Sequence, residues 1–168
     1  WYHLASSGAM QTGWYKDGSE WYFLRSSGRM ATGWQEVEGN NVTNWYFFGE
    51  SGRYLTGWIK SGGEWYHLAV DGIMDTGWLK EGRNWYFLTS SGAMKTGWLD
   101  RNGTWYHLRE SGAMDTGWIK LDGLWYYLYD DGSMAFSTWI GSWHVGSDGA
   151  YDMTKEEFEK KAAKESAR

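Results

Sequence analysis

The stretch Thr116-Gly117-Trp118-Ile119-Lys120-Leu121-Asp122-Gly123-Leu124-Trp125-Tyr126-Tyr127-Leu128 decides how this chain is read. Two Trp residues seven apart flank an Asp-Gly pair, and Asp-Gly supplies the positive φ angles that a two-residue hairpin turn demands. The flanks are aromatic and aliphatic, with strand preference. The stretch predicts a β-hairpin.

Variants of it fill most of the chain. Trp-Tyr pairs begin at Trp1, Trp21, Trp45, Trp65, Trp85, Trp105 and Trp125, and Gly-Trp pairs place Trp14, Trp34, Trp58, Trp78, Trp98 and Trp118. The step is 20 residues, except for one of 24 around Val37 to Asn44. Such a period marks a repeat array, in which each unit contacts mainly its neighbours. Turn pairs recur at Asp17-Gly18, Glu81-Gly82, Asn102-Gly103 and Asp122-Gly123, and loops such as Ser26-Ser27-Gly28 and Ser90-Ser91-Gly92 follow the hairpins. The expected fold is all-β, a solenoid of stacked hairpins over residues 1–151, with an atypical terminal repeat over about 135–151 and a helical tail or linker over 152–168.

Composition agrees. The 15 Trp, 12 Tyr and 6 Phe outnumber Leu, Ile and Val together, so burial must run through rings. The 24 Gly and mean hydropathy of -0.65 favour short elements and tight turns over long helices. With no Cys there is no disulfide framework and no thiolate metal site. No apolar run approaches the roughly 18 residues of a membrane span. A net charge of -5 disfavours nucleic acid, whose phosphates call for Lys and Arg. Trp1 already lies inside a unit, so no signal peptide is expected here and the chain reads as part of something longer.

Parity orients the rings. Across a two-residue turn, opposed residues have numbers that sum to an odd constant, and side chains alternate faces along each strand. Trp98 and Trp105 sum to an odd number and share a face, as do Trp14 with Trp21, Trp58 with Trp65, Trp78 with Trp85 and Trp118 with Trp125. Tyr106 and Leu108 then point to the opposite face from Trp105. Stacking would present the Trp pair of one hairpin to the Tyr of the next, forming a three-walled aromatic box at successive junctions. Met10, Met30, Met74, Met94 and Met114, four residues before a Gly-Trp residue, stand where they could close a side, and Tyr54 takes that place before Trp58.

Indole and phenol faces attract cations, above all quaternary ammonium ions that hydrogen bonds cannot satisfy. Each desolvated contact is worth about 1–2 kcal/mol, so a single box is a weak site. A row of boxes gains avidity on a polymer carrying many such groups.

The recurring Thr-Gly-Trp, Trp-Tyr-x-Leu and Gly-x-Met elements, as in Gly92-Ala93-Met94-Lys95-Thr96-Gly97-Trp98, resemble the choline-binding (cell-wall-binding) repeats of Gram-positive bacteria and their phages over residues 1–135. The resemblance implies a left-handed solenoid of hairpins, secreted and attached to the bacterial cell wall through choline or phosphocholine of teichoic acid. Its site uses two Trp of one repeat, a Tyr of the next and a nearby Met. Carried onto this sequence, it implies sites at Trp14, Trp21 and Tyr46; Trp58, Trp65 and Tyr86; Trp78, Trp85 and Tyr106; and Trp98, Trp105 and Tyr126, with Met74, Met94 and Met114 as the methionines. The insertion sets Trp34, Trp45 and Tyr66 apart from these. Some members dimerise through terminal repeats.

Beyond Met134 the pattern departs: the next Trp comes five residues on and Gly is absent before Trp139, so Trp118 and Trp125 are not assigned a box. Terminal repeats cap a stack. From Asp152 the character changes. Thr154-Lys155-Glu156-Glu157 fits a capping box, and Phe158 and Ala162 lie four apart, so an exposed helix is expected over Lys155 to about Ala167. It reads as a linker toward another domain, a helix packed on the last hairpin, or a remnant of expression.

Bland readings stand beside these. Every aromatic could serve packing alone. His3, His67 and His107 occupy the third place of Trp-Tyr-x-Leu, where sister units carry Phe23, Phe47, Phe87 and Tyr127, so that place reads as half-buried packing rather than metal or catalysis. No recurring acid pair, nucleophile elbow, phosphate cradle or zinc-ligand spacing is present, and neither an enzyme nor a cofactor is expected. The alternatives are a glucan or host-carbohydrate module, the targeting part of a cell-wall hydrolase whose catalytic domain is absent here, and a surface adhesin.

Overall fold

A computed structural model describes residues 1–39 and 42–166. The chain runs β1 (Gly13–Asp17), β2 (Glu20–Leu24), β3 (Gly33–Gly39), β4 (Val42–Phe48), β5 (Gly57–Ser61), β6 (Glu64–Leu68), β7 (Gly77–Glu81), β8 (Asn84–Leu88), β9 (Gly97–Arg101), β10 (Thr104–Leu108), β11 (Gly117–Leu121), β12 (Leu124–Leu128), β13 (Thr138–Ile140), β14 (Trp143–Val145), β15 (Tyr151–Thr154) and α1 (Lys155–Ser166). Consecutive strands pair as antiparallel hairpins, and β13, β14 and β15 form one three-stranded sheet. The class is all-β, a solenoid of stacked hairpins with a short C-terminal helix.

Two compact units emerge, one of Trp1–Leu79 with Leu88–Met94 and one of Lys80–Phe87 with Lys95–Arg168. In each, the core is a column of residues at the fourth place of Trp-Tyr-x-Leu, joined in the terminal hairpin by Val145, two residues after Trp143. In the first unit these are Leu24, Phe48, Leu68 and Leu88, and in the second Leu108, Leu128 and Val145, all buried. One nearly fully buried large apolar side chain per hairpin, joined by Val37, Ile59 and Phe87, is a thin core, and the rings around it supply the remaining apolar surface.

The turns refine the expected pairs. Opposed residues Arg101↔Thr104 and Leu121↔Leu124 leave Asn102-Gly103 and Asp122-Gly123 as loops, with φ of 56° and 85°, and 49° and 86°. Those are type I′ turns. In the first hairpin Asp17 pairs with Glu20, so the loop is Gly18-Ser19 rather than Asp17-Gly18. Gly18, at φ 58°, opens a II′ turn there. Register fixes the loop at the fourth and fifth residues after the Gly-Trp residue, and Gly82, at φ 59°, holds the same fourth place after Trp78. Glu81 is the last residue of β7.

The insertion of four lengthens one hairpin symmetrically. Gly33↔Phe48 through Gly39↔Val42 extends each strand to seven residues, and Trp34 still opposes Phe47. Because four is even, two residues on each strand, every side chain keeps its face.

After each hairpin the loop returns to the second strand. Met30 bridges Leu24, Met74 bridges Leu68, Met114 bridges Leu108 and Met134 bridges Leu128. The methionine side chain then lies over the glycine of the next loop: a β-carbon on Gly92 would collide with the Met74 sulfur, and one on Gly132 with that of Met114. Glycine is required there for both its φ near +82° and its missing side chain.

The helix begins at Lys155, as expected. Tyr151–Thr154 is a strand on β14, and α1 begins at Lys155, whose backbone N–H donates to the Ser142 carbonyl at 2.9 Å. The capping box forms: the Thr154 backbone N–H donates to Glu157 Oε2 at 2.6 Å, and the Glu157 N–H donates to Thr154 Oγ1 at 3.2 Å. The described side chains of α1 are exposed. The side chain of Phe158, and Ala167 altogether, lie outside the described residues.

Candidate functional site

The hairpin register places Trp14 opposite Phe23 and Lys16 opposite Trp21, so Trp14 and Trp21 sit diagonally on one face. Their rings stand 6.2 Å apart at 90°. The phenol of Tyr46, from the following hairpin, meets Trp14 at 4.9 Å and 75°. In the inserted repeat Trp34 lies 6.4 Å from Trp45 and 4.8 Å from Tyr66. In the second unit Trp98 lies 6.3 Å from Trp105 and 5.0 Å from Tyr126. Three times, then, a perpendicular indole pair looks toward the next hairpin's phenol. The insertion leaves the Trp34 arrangement unchanged, for the parity reason given above.

These gaps are open. The second Trp of each pair stays exposed, from 37% at Trp21 to 44% at Trp125. Around Trp98, Trp105 and Tyr126 there is a cavity of about 440 Å³, also lined by Met134, Phe136, Ser147 and Asp148.

The fourth wall follows from a backbone bond. The N–H of Met74 donates to the Trp45 carbonyl, that of Met94 to Trp65, that of Met114 to Trp85 and that of Met134 to Trp105, each at 2.8 Å. Met74 therefore adjoins the Trp34–Trp45 pair, and Met134, absent from the sequence expectation, lines the Trp98 cavity. Tyr54 takes the methionine's place beside Trp21, its N–H donating to the Trp21 carbonyl at 3.2 Å and its ring 6.3 Å from Trp14.

Of the remaining expected residues, Trp58 and Trp65 share a face in the first unit, with Trp58 opposite His67 and Lys60 opposite Trp65. Tyr86, Trp85 and Tyr106 belong to the second unit, and Trp78 to the first. Grouping Trp58 and Trp65 with Tyr86, and Trp78 with Trp85 and Tyr106, rests on the 20-residue period alone.

Trp118 and Trp125 line a further cavity, of about 420 Å³, closed by Trp143 and Tyr151. The terminal hairpin explains both closures. Opposed residues Trp139↔His144 and Ile140↔Trp143 leave Gly141-Ser142 as the loop, and each arm is two residues shorter than in the preceding hairpin, where Trp118↔Tyr127 and Ile119↔Tyr126 are followed by Lys120↔Trp125 and Leu121↔Leu124. Trp139 and Trp143 sum to an even number and take opposite faces, so Trp143 faces backward, as Tyr126 does in its hairpin. Ala150 bridges Tyr126 as Arg53 bridges Tyr22, which gives Tyr151 the place of Tyr54. Sequence spacing hid this, because the two residues lost from each arm include the place of the second Trp and leave Trp143 at the place of Tyr126.

Behind each first Trp stands the third residue of Trp-Tyr-x-Leu, its direct cross-strand partner. Ring separations are 5.5 Å for Trp14–Phe23, 5.1 Å for Trp34–Phe47, 5.0 Å for Trp58–His67 and 5.1 Å for Trp98–His107. Each His is tied to an acceptor eight residues on: His3 to Gln11 at 2.7 Å, His67 to Asp75 at 2.6 Å, His107 to Asp115 at 2.7 Å and His144 to Asp152 at 2.8 Å. Where the place is Phe23, Phe47, Phe87 or Tyr127, the eighth residue on is Ala31, Leu55, Lys95 or Ala135, none of them a side-chain acceptor. That co-occurrence was readable in the repeat and marks a polar pair, buried at His107 and Asp115, beside the indole. Among the described residues, no three His, Asp or Glu side chains group as metal ligands.

Chemically, perpendicular aromatic faces around an open gap favour a cation without hydrogen-bond donors. The comparisons with known proteins agree with that chemistry. The family model of the choline-binding repeat matches residues 11–56, 31–70, 55–96 and 95–139. Choline binding protein F from Streptococcus pneumoniae, solved in the presence of a peptidoglycan analogue, is 43% identical, with a TM-score of 0.79 over 87% of this chain and 48% of that one. CbpJ from Streptococcus pneumoniae TIGR4 is 40% identical, with a TM-score of 0.82 over 90% of this chain and 55% of that one. The choline-binding domain of CbpL from the same species is 30% identical, with a TM-score of 0.68 over 90% of this chain and 81% of that one. Against choline binding protein F, the chain spans about half the length of its match. Comparison with curated sequences finds no match.

Proposed function

We propose, from the premise that this chain belongs to the choline-binding repeat family, that its aromatic gaps are cages for the quaternary ammonium of choline. The observation that carries this is the recurring meeting of an exposed Trp pair with the next hairpin's Tyr, at 4.8–5.0 Å from the first indole. Trp14, Trp21 and Tyr46, then Trp34, Trp45 and Tyr66, then Trp98, Trp105 and Tyr126 are the walls, with Tyr54, Met74 and Met134 beside them. Trp118, Trp125, Trp143 and Tyr151 make a further cage with aromatic walls only. Trp58 and Trp65, on one face of their hairpin, are a further Trp pair of this kind in the first unit, with Met94 on the Trp65 carbonyl.

Each cage is weak, at about 1–2 kcal/mol per desolvated ring contact. Several cages on one chain hold a polymer by effective concentration, since each bound choline keeps the next one near. This chain is on that reading a non-catalytic module that anchors a secreted protein to the cell wall by choline on teichoic acid. A lining of rings without converging polar side chains favours choline over a sugar in the terminal cage. The test is a choline titration followed by Trp fluorescence, alongside Trp98→Ala and Trp105→Ala. Saturation in the millimolar range, weakened by both substitutions, supports the cages; no response to choline with a response to soluble glucan overturns them.

A further inference from the structure

The residue that faces the second Trp across each hairpin varies in charge. It is Lys16 opposite Trp21, Lys60 opposite Trp65 and Lys120 opposite Trp125, but Glu36 opposite Trp45 and Asp100 opposite Trp105. Opposed residues point to the same face of a hairpin. The Lys ammonium lies over the indole in each case, 5.3 Å from the ring centre at Trp21, 5.9 Å at Trp65 and 5.7 Å at Trp125. Lys80 repeats this over Trp85 at 5.6 Å. Each exposed second Trp thus carries either a positive charge held on its ring or a carboxylate beside it.

We propose that this position sorts the cages by the charge a guest carries next to its ammonium. The Lys cages prefer phosphocholine, and the cages of Glu36 and Asp100 prefer choline that bears no phosphate. The inference rests on the choline reading above. A Lys ammonium on the rim repels a quaternary ammonium seated in the gap. Phosphocholine carries its phosphate on a two-carbon tether, which brings an anion to the rim where that Lys sits, so attraction there offsets the repulsion. Beside Trp105 the sign reverses. Asp100 lies across the strand from it, and Asp148 lines the same cavity, so a phosphate there meets two carboxylates. Asp100 is held in place, its Oδ1 accepting the Gly103 N–H at 2.7 Å.

Rim charges are exposed and screened by salt, so the effect per cage is about two- to fivefold in affinity at low ionic strength and shrinks as salt rises. The experiment follows the indole N–H resonances of individual Trp residues while choline, and separately phosphocholine, is added to the full chain. In the unaltered protein Trp21 and Trp125 half-saturate at lower phosphocholine than choline, and Trp45 and Trp105 show the reverse order. Replacing Lys16, Lys60, Lys80 and Lys120 by Met lowers the phosphocholine preference at Trp21 and Trp125 two- to fivefold, while Lys→Arg at the same four positions keeps it. Asp100→Lys turns Trp105 toward phosphocholine. Equal preference at every indole, or a preference that the charge changes do not move, overturns the sorting and leaves the cages standing. Lys side chains that merely brace the ring would shift both ligands alike on Lys→Met, which also overturns it. Indoles that respond to neither ligand sink the choline reading itself.

Discussion

The indole of Trp98 and the phenol of Tyr126, in consecutive hairpins, meet at 5.0 Å between ring centres and 72° between planes. Trp105 stands at 82° to the same indole, 6.3 Å away, so three faces bound one gap. Tyr126→Ala, Trp98→Ala and Trp105→Ala each remove one wall, worth about 1–2 kcal/mol to a desolvated cation. The expected result is a loss of about tenfold in choline affinity at this cage alone. Equilibrium titration with resolved indole resonances checks it. Tyr126→Phe keeps the face and is expected to keep most of the affinity.

Asp115 accepts from His107 Nδ1 at 2.7 Å and also from Arg109 Nε, and both Asp115 and His107 are buried. Asp115→Ala leaves the imidazole with a lost partner away from water, at a cost of about 1–3 kcal/mol. The array contains its own control. Phe23 and Ala31 hold the equivalent two places in another repeat, the Ala31 N–H donating to the Phe23 carbonyl as the Asp115 N–H does to that of His107. His107→Phe combined with Asp115→Ala is therefore expected to be more stable than Asp115→Ala alone. Urea denaturation of the single and double variants reads the difference.

Gly132 and Gly103 share nearly the same backbone, at φ 83° and 85°, but not the same surroundings. A β-carbon at Gly103 meets open space, whereas at Gly132 it collides with the Met114 side chain. Both Ala substitutions carry the left-handed penalty of about 1–2 kcal/mol. Gly132→Ala carries in addition the cost of displacing a packed methionine, about 1 kcal/mol or more. Adding Met114→Ala relieves that second part, so a double-mutant cycle shows a coupling of about 1 kcal/mol for Met114 with Gly132 and none for Met114 with Gly103.

How far such geometry could be read from residues alone depends on what fixes the register. A two-residue turn makes the facing of Trp98, Trp105 and Tyr106 a matter of odd and even numbers, and the same arithmetic carries Trp34 and Trp45 through an insertion of four. Two things escaped it. The turn pair was read one residue early at Asp17-Gly18, because Gly18 can open a II′ loop as readily as it can close a I′ loop. The terminal hairpin lost two residues from each arm, at the places of Lys120 and Leu121 and of Leu124 and Trp125, and without coordinates nothing marks which residues were lost. Trp143 could thus take the role of a Tyr, and Tyr151 that of a Met, with no motif to announce either. The His–acceptor pairs at a separation of eight were legible, but only by comparing repeats with one another rather than reading each alone.

Glu157 holds the start of the tail helix. Its carboxylate accepts from the Thr154 backbone N–H and then from the Thr154 hydroxyl, and these bonds keep its pKa below the ordinary value of 4.5. A carboxylate lowered on folding stabilises above its unfolded pKa, and that contribution is lost as pH falls through the folded value. Acidification below about pH 4.5 is therefore expected to fray Lys155 to Lys160 before the hairpins respond. Amide chemical shifts followed through an acid titration check the order, and Glu157→Ala is expected to fray the same turn already at neutral pH, removing the acid step.

The terminal cage tests whether facing, rather than residue type, makes a wall. Trp139 and Trp143 lie four residues apart in one hairpin, but register sends them to opposite faces, and only Trp143 joins Trp118, Trp125 and Tyr151 around the cavity. Trp143 also meets Tyr151 at 5.6 Å and 65°, so removing it takes away one wall and the brace of another. Trp143→Ala is expected to weaken choline at the Trp118 and Trp125 indoles by about tenfold or more, since two ring contacts of about 1 kcal/mol are disturbed. Trp139→Ala removes an indole of the same size from the other face, 4.9 Å from His144, and is expected to lower stability while leaving the choline response of Trp118 within about twofold. The decisive measurement is the pair of titrations read at the Trp118 resonance. A response lost equally in both variants would mean that the terminal hairpin acts only through its folding, and the even-sum facing of Trp139 and Trp143 would have no bearing on the guest.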